Sequence, residues 1–337
     1  MLGKYFRIGK QRRAFDMTRE LLILRHGKSD WTTGTGDFDR PLQDRGKRGA
    51  QRMAVWLQRQ DLMPDHVIAS PAERALVTAE KICKAMGMGS RVIKKKKRIY
   101  EASLDDLLKV LKDCPKKAQR VLLVGHNPGL EQLLLYLAGG SISPEGGKLL
   151  PTAALARLTM PDSWKNLASD CARLESITRP DSLPEKFPFP SFDSDELRER
   201  PAYYYTQSSV IPYRIKKGKP EILIISSSKK KHWVVPKGIK EPGFSPQQSA
   251  AKEAVEEAGV EGKVGKKMIG SYVYDKWGAS CTVEVFPMKV TKVIPKKYWE
   301  ERHRGREWVS PEQAAEKLRQ RELAPMVLSL AKKLEQA

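Results

Sequence analysis

Two of the five histidines stand directly after strand-like apolar runs. His26 ends the run "LLILRH", His126 follows "VLLVG", and Arg74 comes shortly after a third run in "VIASPAERA". Because ligands of open parallel sheets bind beyond the carboxyl ends of the strands, we expect both imidazoles to project into one crevice. Arg25 directly precedes His26. Two guanidinium groups and two imidazoles at one place form a pocket for a phosphoryl group, because one arginine side chain can bind two of its oxygens at once.

A second set of candidate residues lies in the stretch "AAKEAVEEAGV". Glu253, Glu256 and Glu257 stand at positions i, i+3 and i+4, so they share one face of a helix. Like charges at that spacing repel each other, and solvent or a bound cation must screen them. The pattern leaves two interpretations open, a solvated acidic face and a cation site.

The helix that carries these glutamates has recognisable ends. Ser245 suits the N-cap, Pro246 the first helical position, Gln248 a capping box with Ser245, and Gly259 the C-terminal end. We expect an apolar stripe of small residues to pack on a sheet. This stripe consists of Ala251, Ala254, Val255 and Ala258.

Composition bounds the class of protein. A chain of 337 residues is long enough for two domains with separate cores. The net charge of +22 favours anionic partners, which could be phosphorylated small molecules, nucleic acid or an acidic protein surface. The four cysteines form no C-x-x-C pair, so neither a zinc site nor a disulfide framework is predicted, and a cytoplasmic location is expected. No apolar run is long enough to cross a membrane.

The order of patterns along the chain predicts two domains of different class. Residues 1–18 form a basic N-terminal arm, and Met17 is an alternative start to Met1. Alternating strand and helix patterns over residues 19–184 predict an α/β domain with helices on both faces of a mostly parallel sheet. The proline-rich and charged residues 185–203 are predicted to be a linker. Residues 204–337 carry β segments around few helices, which favours an α+β sandwich.

The first domain resembles a known family. The stretches "LRHGKSDW", "DFDRPLQDRG", "SPAERALVTAE", "IYEA", "VGHNPGLEQLL" and "LPTAALARL" are similar to the histidine phosphatase superfamily, and within it to the SixA-type phosphohistidine phosphatases. The resemblance implies metal-free phosphoryl transfer, in which His26 attacks phosphorus and carries the phosphoryl group. It gives Arg25, Arg74 and His126 the task of stabilising charge on the phosphoryl oxygens.

Two further expectations come from this resemblance. Glu101, in "IYEAS", stands where many relatives place an acidic residue, so it is the candidate proton donor to the leaving group. The domain lacks the extra segments of sugar-phosphate relatives, and an open site suits a protein phosphohistidine, such as one on a signalling partner. The alternative is a pocket that binds phosphate without turnover.

The acidic helix belongs to a second resemblance. The run from Gly238 to Val260 is similar to the Nudix box, G-x5-E-x7-R-E-U-x-E-E-x-G-U with U aliphatic. Two positions depart from this pattern, because Phe244 replaces its first glutamate and Lys252 replaces its arginine. We expect these departures to slow the enzyme without inactivating it, since lysine lacks the bidentate fork of arginine.

The Nudix resemblance implies hydrolysis of a diphosphate linkage by water with the help of Mg²⁺, with Mn²⁺ as an alternative. The implied metal ligands are Glu253, Glu256, Glu257 and the backbone of Gly238. Glu257 is one candidate for the general base. Rival candidates in a later loop are Glu300, Glu301 and Glu307.

The sequence around the box resembles the diphosphoinositol polyphosphate and dinucleoside polyphosphate branch of the Nudix family. Lys237 and Lys231 are then candidates for binding the polyphosphate, although a solvated face is the alternative for the run "KKK". The expected function is a bifunctional phosphohydrolase. The alternatives are sequential action of both domains on one nucleotide, as in the clean-up of oxidised nucleotides, and a basic polyphosphate- or nucleic-acid-binding protein. Specific nucleic-acid binding is not expected, because no motif for it is present.

Overall fold

A computed structural model describes residues 19–140, 142 and 148–336. These residues form two compact units. The first contains residues 19–50, 62–79 and 93–182, and the second contains residues 51–61, 80–92 and 183–336. The predicted arm, residues 1–18, lies outside the described residues. The domain boundaries at 19–184, 185–203 and 204–337 stay predictions.

The first sheet has six strands. They are β1 (Arg19–Arg25), β2 (His66–Ala69), β3 (Ile93–Lys95), β4 (Arg120–Gly125), β5 (Leu155–Met160) and β6 (Arg173–Thr178), in the order β3-β2-β4-β1-β5-β6. Strands β1 to β4 are parallel, whereas β5 and β6 are antiparallel to their neighbours. The helices between them are α1 (Asp44–Arg59), α2 (Glu73–Ala85), α3 (Leu104–Lys112) and α4 (Gly129–Ala138). The predicted α/β class with a mostly parallel sheet is confirmed.

The two central strands of this sheet are buried on both faces. Residues 21–24 of β1 and 121–124 of β4 are fully shielded from solvent. This explains their unbroken apolar sequences, because a strand covered on both faces gains nothing from polar alternation. Leu107 and Leu111 of α3 and Leu133 of α4 belong to the core on one of these faces. The carboxyl ends of β1, β2 and β4 therefore present their loops from a rigid base.

The second sheet has eight strands. They are β9 (Thr206–Lys216), β10 (Lys219–Ser226), β11 (Trp233–Val234), β12 (Lys237–Ile239), β13 (Val260–Val264), β14 (Gly270–Lys276), β15 (Ala279–Val293) and β16 (Arg306–Val309). Strands β9 and β15 pair in parallel, while the other ladders are antiparallel. Within residues 185–203, β7 (Phe187–Pro188) and β8 (Leu197–Arg198) form a separate two-stranded ladder.

Both faces of the second sheet are covered by helices. On one face Val210, Leu223 and Phe286 share a core with α5 (Pro246–Ala258). On the other face neighbouring strand residues such as Ile211 and Ile224 share a core with α6 (Pro311–Lys317) and α7 (Leu323–Glu335). Adjacent residues point to opposite faces of a strand, so each strand serves both cores. The predicted Nudix-type α+β sandwich is confirmed.

The predicted ends of α5 are also confirmed. The Ser245 hydroxyl accepts from the Gln248 N–H, the Gln248 side chain accepts from the Ser245 N–H, and Gly259 ends the helix at φ 60°. The predicted apolar stripe was partly wrong. Ala250, Ala254 and Ala258 are the buried alanines, at a spacing of four, whereas the side chain of Val255 is exposed. The helix is rotated so that its smallest residues meet the sheet.

Among the described residues, no helix is both long and apolar enough to span a bilayer. A cytoplasmic location stays a prediction.

Candidate active sites

The loop after β1 places His26 by close backbone packing. A Cβ atom on Gly27 would lie 2.7 Å from the carbonyl oxygen of Gly46 in α1, so only glycine allows this approach. The Gly27 N–H donates to the Thr78 hydroxyl (2.9 Å), which in turn donates to the Arg74 carbonyl (2.6 Å). These bonds fix the His26 loop against the helix that carries Arg74.

His26 is held as a neutral imidazole with its Nε2 atom free. Its Nδ1 lies 2.8 Å from the Gly27 carbonyl oxygen, which can only accept, so Nδ1 carries the proton. Burial, with smaller contributions from Arg74, Arg25 and Arg40, lowers the pKa of His26 to about 4. At neutral pH the lone pair of Nε2 is available for attack on phosphorus.

His126 lies beside His26, with the ring centroids 5.1 Å apart. Its Nε2 is 2.8 Å from the hydroxyl of Ser70, which follows β2. Burial first, and then repulsion from His26 when that ring is protonated and from Arg74, lowers the pKa of His126 to about 3. The two imidazoles predicted to share a crevice are therefore brought together, and both are neutral.

Arginine side chains surround the histidines. Arg25 donates through Nη1 to the carbonyl oxygen of Leu150 (2.8 Å), in the segment before β5. Arg74 is buried and donates through Nη2 to Asp37 Oδ2 (2.8 Å). Arg40, also buried, donates to Asp37 Oδ1 (2.8 Å) and stacks on Trp31, with 3.3 Å between the guanidinium carbon and the ring centroid.

Asp37 is the organising carboxylate of this first site. Besides the two arginines, it accepts from the Tyr100 hydroxyl (2.9 Å). Burial acts to raise the pKa of Asp37, but the hydrogen bonds from Tyr100 and Arg74 and the nearby arginine charges outweigh it, so the pKa is lowered. The carboxylate stays charged and holds the guanidinium groups of Arg40 and Arg74 in a fixed orientation.

The predicted residues of this site line one cavity of about 710 Å³. Its walls include Arg25, His26, Arg74, His126 and Glu101. Glu101 is exposed and adopts a left-handed backbone conformation, with φ 50°. Several nitrogen atoms of these side chains are shielded from solvent and have no hydrogen-bond partner among the described residues. They are Nε of Arg25 and Arg74, Nε and Nη1 of Arg40, and Nδ1 of His126. The cavity itself is lined by the three arginines, whose positive charge suits an anion.

The second site lies where α5 faces β12. The Glu253 carboxylate packs directly against Gly238, where any Cβ atom would overlap it. Burial first, then the charges of Glu257 and Glu256, raise the pKa of Glu253 to about 7. A carboxylate in this environment gains from a nearby cation.

Glu257 is oriented by two donors. Its Oε2 accepts from the Lys237 N–H (3.0 Å), and its Oε1 accepts from Arg304 Nη2 (2.6 Å). Arg304 is buried, donates to the Ser226 carbonyl (3.1 Å) and contacts Glu301. Burial raises the pKa of Glu257, although Lys237 and Arg304 oppose the shift.

Glu256 has a different environment from the other two helix carboxylates. Its side chain contacts Lys252 (3.0 Å), and Lys252 also contacts Glu241 (3.2 Å). Burial acts to lower the pKa of Lys252, but Glu256 and Glu241 raise it to about 12. Glu253, Glu257 and Gly238 line the large cavity of this unit, whereas Glu256 is absent from its walls. Glu256 as a metal ligand stays a prediction.

The two predicted substrate lysines differ in placement. Lys237 lines the cavity and donates to Tyr274 (2.8 Å) and Gln207 (3.1 Å). Lys231 is exposed and lies outside the cavity wall.

Of the rival bases, Glu301 reaches the site through Arg304, whereas Glu307 pairs with Lys317 (3.0 Å) and Glu300 is exposed. Glu257 is the only one of the four on the described cavity wall. The identity of the base stays a prediction.

Comparison with known proteins identifies both domains. Residues 21–112 match the family model of the histidine phosphatase superfamily (branch 1), and residues 206–329 match that of the NUDIX domain. The chain therefore joins a histidine phosphatase domain to a Nudix domain.

Individual relatives cover one domain each. The uncharacterized protein Rv1276c of Mycobacterium tuberculosis is 28% identical over 156 residues, which is 45% of this chain and 96% of the relative. Diphosphoinositol polyphosphate phosphohydrolase 2 of Rattus norvegicus is 36% identical over 98 residues, which is 28% of this chain. The chain spans about half the length of that relative, 52%.

Solved structures match in the same way. The protein histidine phosphatase SixA complexed with tungstate is 22% identical, covers 48% of this chain and 97% of its own, and has a TM-score of 0.42. The Ap4A hydrolase of C. elegans in a binary complex is 22% identical, covers 40% of this chain and 99% of its own, and has a TM-score of 0.36.

The Nudix site offers part of a magnesium shell. Among the described residues, no three His, Cys, Asp or Glu side chains are grouped closely enough to hold a metal ion. Two carboxylates, Glu253 and Glu257, line the cavity beside Gly238. Mg²⁺ is commonly held by one or two carboxylates, with waters and substrate phosphates completing the shell. The residues present therefore fit the metal that Nudix domains typically need.

Sequence reasoning missed several residues of both sites. Asp37 and Arg40 lie in the stretch "DFDRPLQDRG", which carried the family resemblance without a role for either residue. Arg304 lies in "ERHRGREW", where the Nudix resemblance assigns candidate roles to the glutamates alone. The sequence shows only that Arg304 lies in a charged loop after the box. The composition of that loop does not indicate that Arg304 is buried.

Proposed function

We propose that the protein is a bifunctional phosphohydrolase with two independent active sites. The histidine phosphatase domain removes a phosphoryl group through a phosphohistidine intermediate on His26. The Nudix domain hydrolyses a diphosphate linkage. The observation that carries the first activity is the neutral His26, with Nε2 free, among Arg25, Arg40 and Arg74. The second rests on Glu253 and Glu257 on one cavity wall.

In the phosphatase step, His26 Nε2 attacks phosphorus, and the bond from phosphorus to the leaving atom breaks with its electron pair. The leaving atom takes up a proton. Arg25, Arg40, Arg74 and His126 stabilise the charge on the phosphoryl oxygens as it redistributes. Water then attacks the phosphorus, gives up a proton, and phosphate departs while the electron pair returns to Nε2. No step requires a metal ion.

Glu101 is our candidate proton donor to the leaving group, because it lines the cavity and is exposed. We propose a protein phosphohistidine as substrate. Its leaving imidazole can be protonated at neutral pH, and the open cavity admits a side chain from a folded partner.

In the Nudix domain, Glu253, Glu257 and the Gly238 backbone would hold Mg²⁺ or Mn²⁺. The metal, when bound, neutralises phosphate charge and lowers the pKa of the attacking water. Glu257 is oriented by Arg304 and the Lys237 N–H, which leaves it placed to accept a proton from that water.

We propose a polyphosphate of the diphosphoinositol or dinucleoside class as the Nudix substrate. Lys237 supports this proposal, because it is a half-buried cation of the cavity wall held by Tyr274 and Gln207. The similarity to diphosphoinositol polyphosphate phosphohydrolase 2 supports it as well.

Phosphate release should be measured with His26→Ala and Glu257→Gln, each with Mg²⁺ and with a chelator. The substrates are a phosphohistidine protein, diadenosine polyphosphates, oxidised nucleoside triphosphates and a diphosphoinositol phosphate. We expect His26→Ala to lower only the chelator-resistant activity, by about 10⁴-fold. We expect Glu257→Gln to lower only the metal-dependent activity, by about 10²- to 10⁴-fold. Each variant serves as the folding control for the other, and one change that removed both activities would overturn the two-site proposal.

A further inference from the structure

The Nudix box of this chain lacks two residues of the family pattern, and the structure places a carboxylate against the lysine that replaces one of them. Phe244 stands where the pattern has glutamate, and Lys252 stands where it has arginine. Glu241, three residues before Phe244, contacts the Lys252 ammonium group at 3.2 Å. We infer that Glu241 is a positioning residue of the Nudix site, which supplies through Lys252 the carboxylate that position 244 lacks.

Lys252 joins two structural elements by its contacts. On one side it binds Glu241, in the loop between β12 and α5, and on the other it binds Glu256 of α5 itself. The Glu241 side chain is 16% exposed and that of Glu256 is 29% exposed, so both pairs are partly shielded from water. Partly desolvated ion pairs of this kind constrain geometry more strongly than surface pairs.

The loop that Glu241 anchors directly follows β12, and Gly238 of that strand packs against the carboxylate of Glu253. A small shift of this loop along α5 changes the separation of the Gly238 carbonyl from that carboxylate. The pair of Glu241 and Lys252 resists such a shift, because it ties the loop to the helix one residue before Glu253. Glu241 therefore acts on metal affinity without itself being a ligand, as outer-shell partners of metal sites do.

The backbone of Glu241 has an anchor of its own. Its N–H donates to the buried hydroxyl of Ser249 (3.0 Å), and this bond does not depend on the side chain. Removal of the carboxylate should therefore leave the loop folded and change only its alignment with α5. Lys84, which belongs to the same compact unit, also contacts Glu241 at 3.0 Å and must be controlled for.

The test is the affinity of the full-length chain for Mn²⁺, measured by the electron paramagnetic resonance of free Mn²⁺ without substrate. The inference rests on the proposed Nudix function. We expect Glu241→Ala to weaken Mn²⁺ binding about tenfold and to leave the urea midpoint unchanged. The matched control is Glu261→Ala, which removes another Glu–Lys pair of the same domain, that of Glu261 with Lys292 (2.8 Å). This control and Lys84→Met should change the affinity less than twofold.

A rescue variant tests whether the Glu241 carboxylate takes the place of the one that position 244 lacks. Adding Phe244→Glu to Glu241→Ala returns a carboxylate to the box position and should recover at least half of the lost affinity. The inference is overturned if Glu241→Ala binds Mn²⁺ as Glu261→Ala does, if Lys84→Met reproduces its effect, or if the rescue fails. Absence of Mn²⁺ binding by the unaltered chain would refute the proposed Nudix function as well, which distinguishes the two failures.

Discussion

The two candidate active sites place groups of opposite charge around the expected position of phosphate. In the phosphatase site, one carboxylate, Asp37, holds the cations Arg40 and Arg74 beside a neutral His26. In the Nudix site, one cation, Arg304, holds the carboxylates Glu257 and Glu301. The first site carries its positive charge in the chain, whereas the second presents negative charge toward an anionic substrate.

This contrast explains why only one site should depend on a metal. Arginine stays protonated at any relevant pH and binds phosphoryl oxygens directly. Carboxylates repel a phosphate unless a cation lies between them. Burial first, and then repulsion from Glu257 and Glu256, raises the pKa of Glu253, so its charged form also gains from a cation. The basic composition of the chain, with its net charge of +22, suits both proposed substrates because each is an anion.

The largest effect is expected from Arg304→Met, which removes the cation that holds the carboxylates of the Nudix site. The Arg304 side chain is 7% exposed and that of Glu257 16%. Loss of the cation leaves a buried carboxylate unpaired, so we expect the free energy of unfolding of the C-terminal unit to fall by about 3 kcal/mol. Urea denaturation measures the change.

Mg²⁺ should raise the urea midpoint of Arg304→Met more than that of the unaltered chain, because the metal replaces the missing positive charge. Equal metal responses in the two proteins would contradict the proposed place of the metal beside Glu257.

A smaller effect is expected from Asp37→Asn in the phosphatase half. Loss of the carboxylate frees Arg40 and Arg74 from a fixed orientation, so kcat should fall about tenfold, the equivalent of one charged hydrogen bond. KM should not rise, since the pocket becomes more positive. Steady-state kinetics in chelator separate the two constants.

Asp30→Asn is the matched control for this variant, because Asp30 binds the nearby Thr32 (2.8 Å) and none of the arginines. A rise in KM without a change in kcat would show that Asp37 does not position the arginines for turnover.

The smallest effect concerns pH. Because the pKa of His26 is lowered to about 4, its imidazole stays neutral as the pH falls from 7 to 5 and is protonated only near 4. We expect the kcat/KM of the metal-independent reaction at pH 5 to remain within about twofold of its value at pH 7, after correction for ionisation of the substrate. With an ordinary histidine pKa near 6.5, the neutral fraction and hence kcat/KM would fall about 25-fold over the same range. A midpoint near 6.5 would therefore refute the buried, neutral His26.

Sequence could predict the fold and the residues that stand at the ends of buried strands. The apolar runs before His26 and His126 specify central parallel strands, and a shared sheet edge then brings the two imidazoles together. The capping box of α5 is likewise a local pattern, in which Ser245, Gln248 and Gly259 act within one or two turns.

What sequence could not predict are contacts between residues far apart in the chain. Arg304 meets Glu257 across 47 positions, and Tyr100 meets Asp37 across 63. Charge alone did not distinguish Arg304 from the many other basic residues, because its burial depends on the whole sheet. The face of α5 was misjudged for a similar reason, since Val255 fits a helical stripe but a sheet accepts the narrower alanines more closely.

The hydroxyl of Thr78 sets a limit on which sequences can build the phosphatase site. It accepts from the Gly27 N–H of the nucleophile loop and donates to the Arg74 carbonyl of its own helix, so one atom serves both a donor and an acceptor. Valine has the same shape but can do neither, and would leave a buried N–H without a partner. Changes in the length or composition of the nucleophile loop or the arginine helix are therefore tolerated only while position 78 keeps a hydroxyl that joins the two.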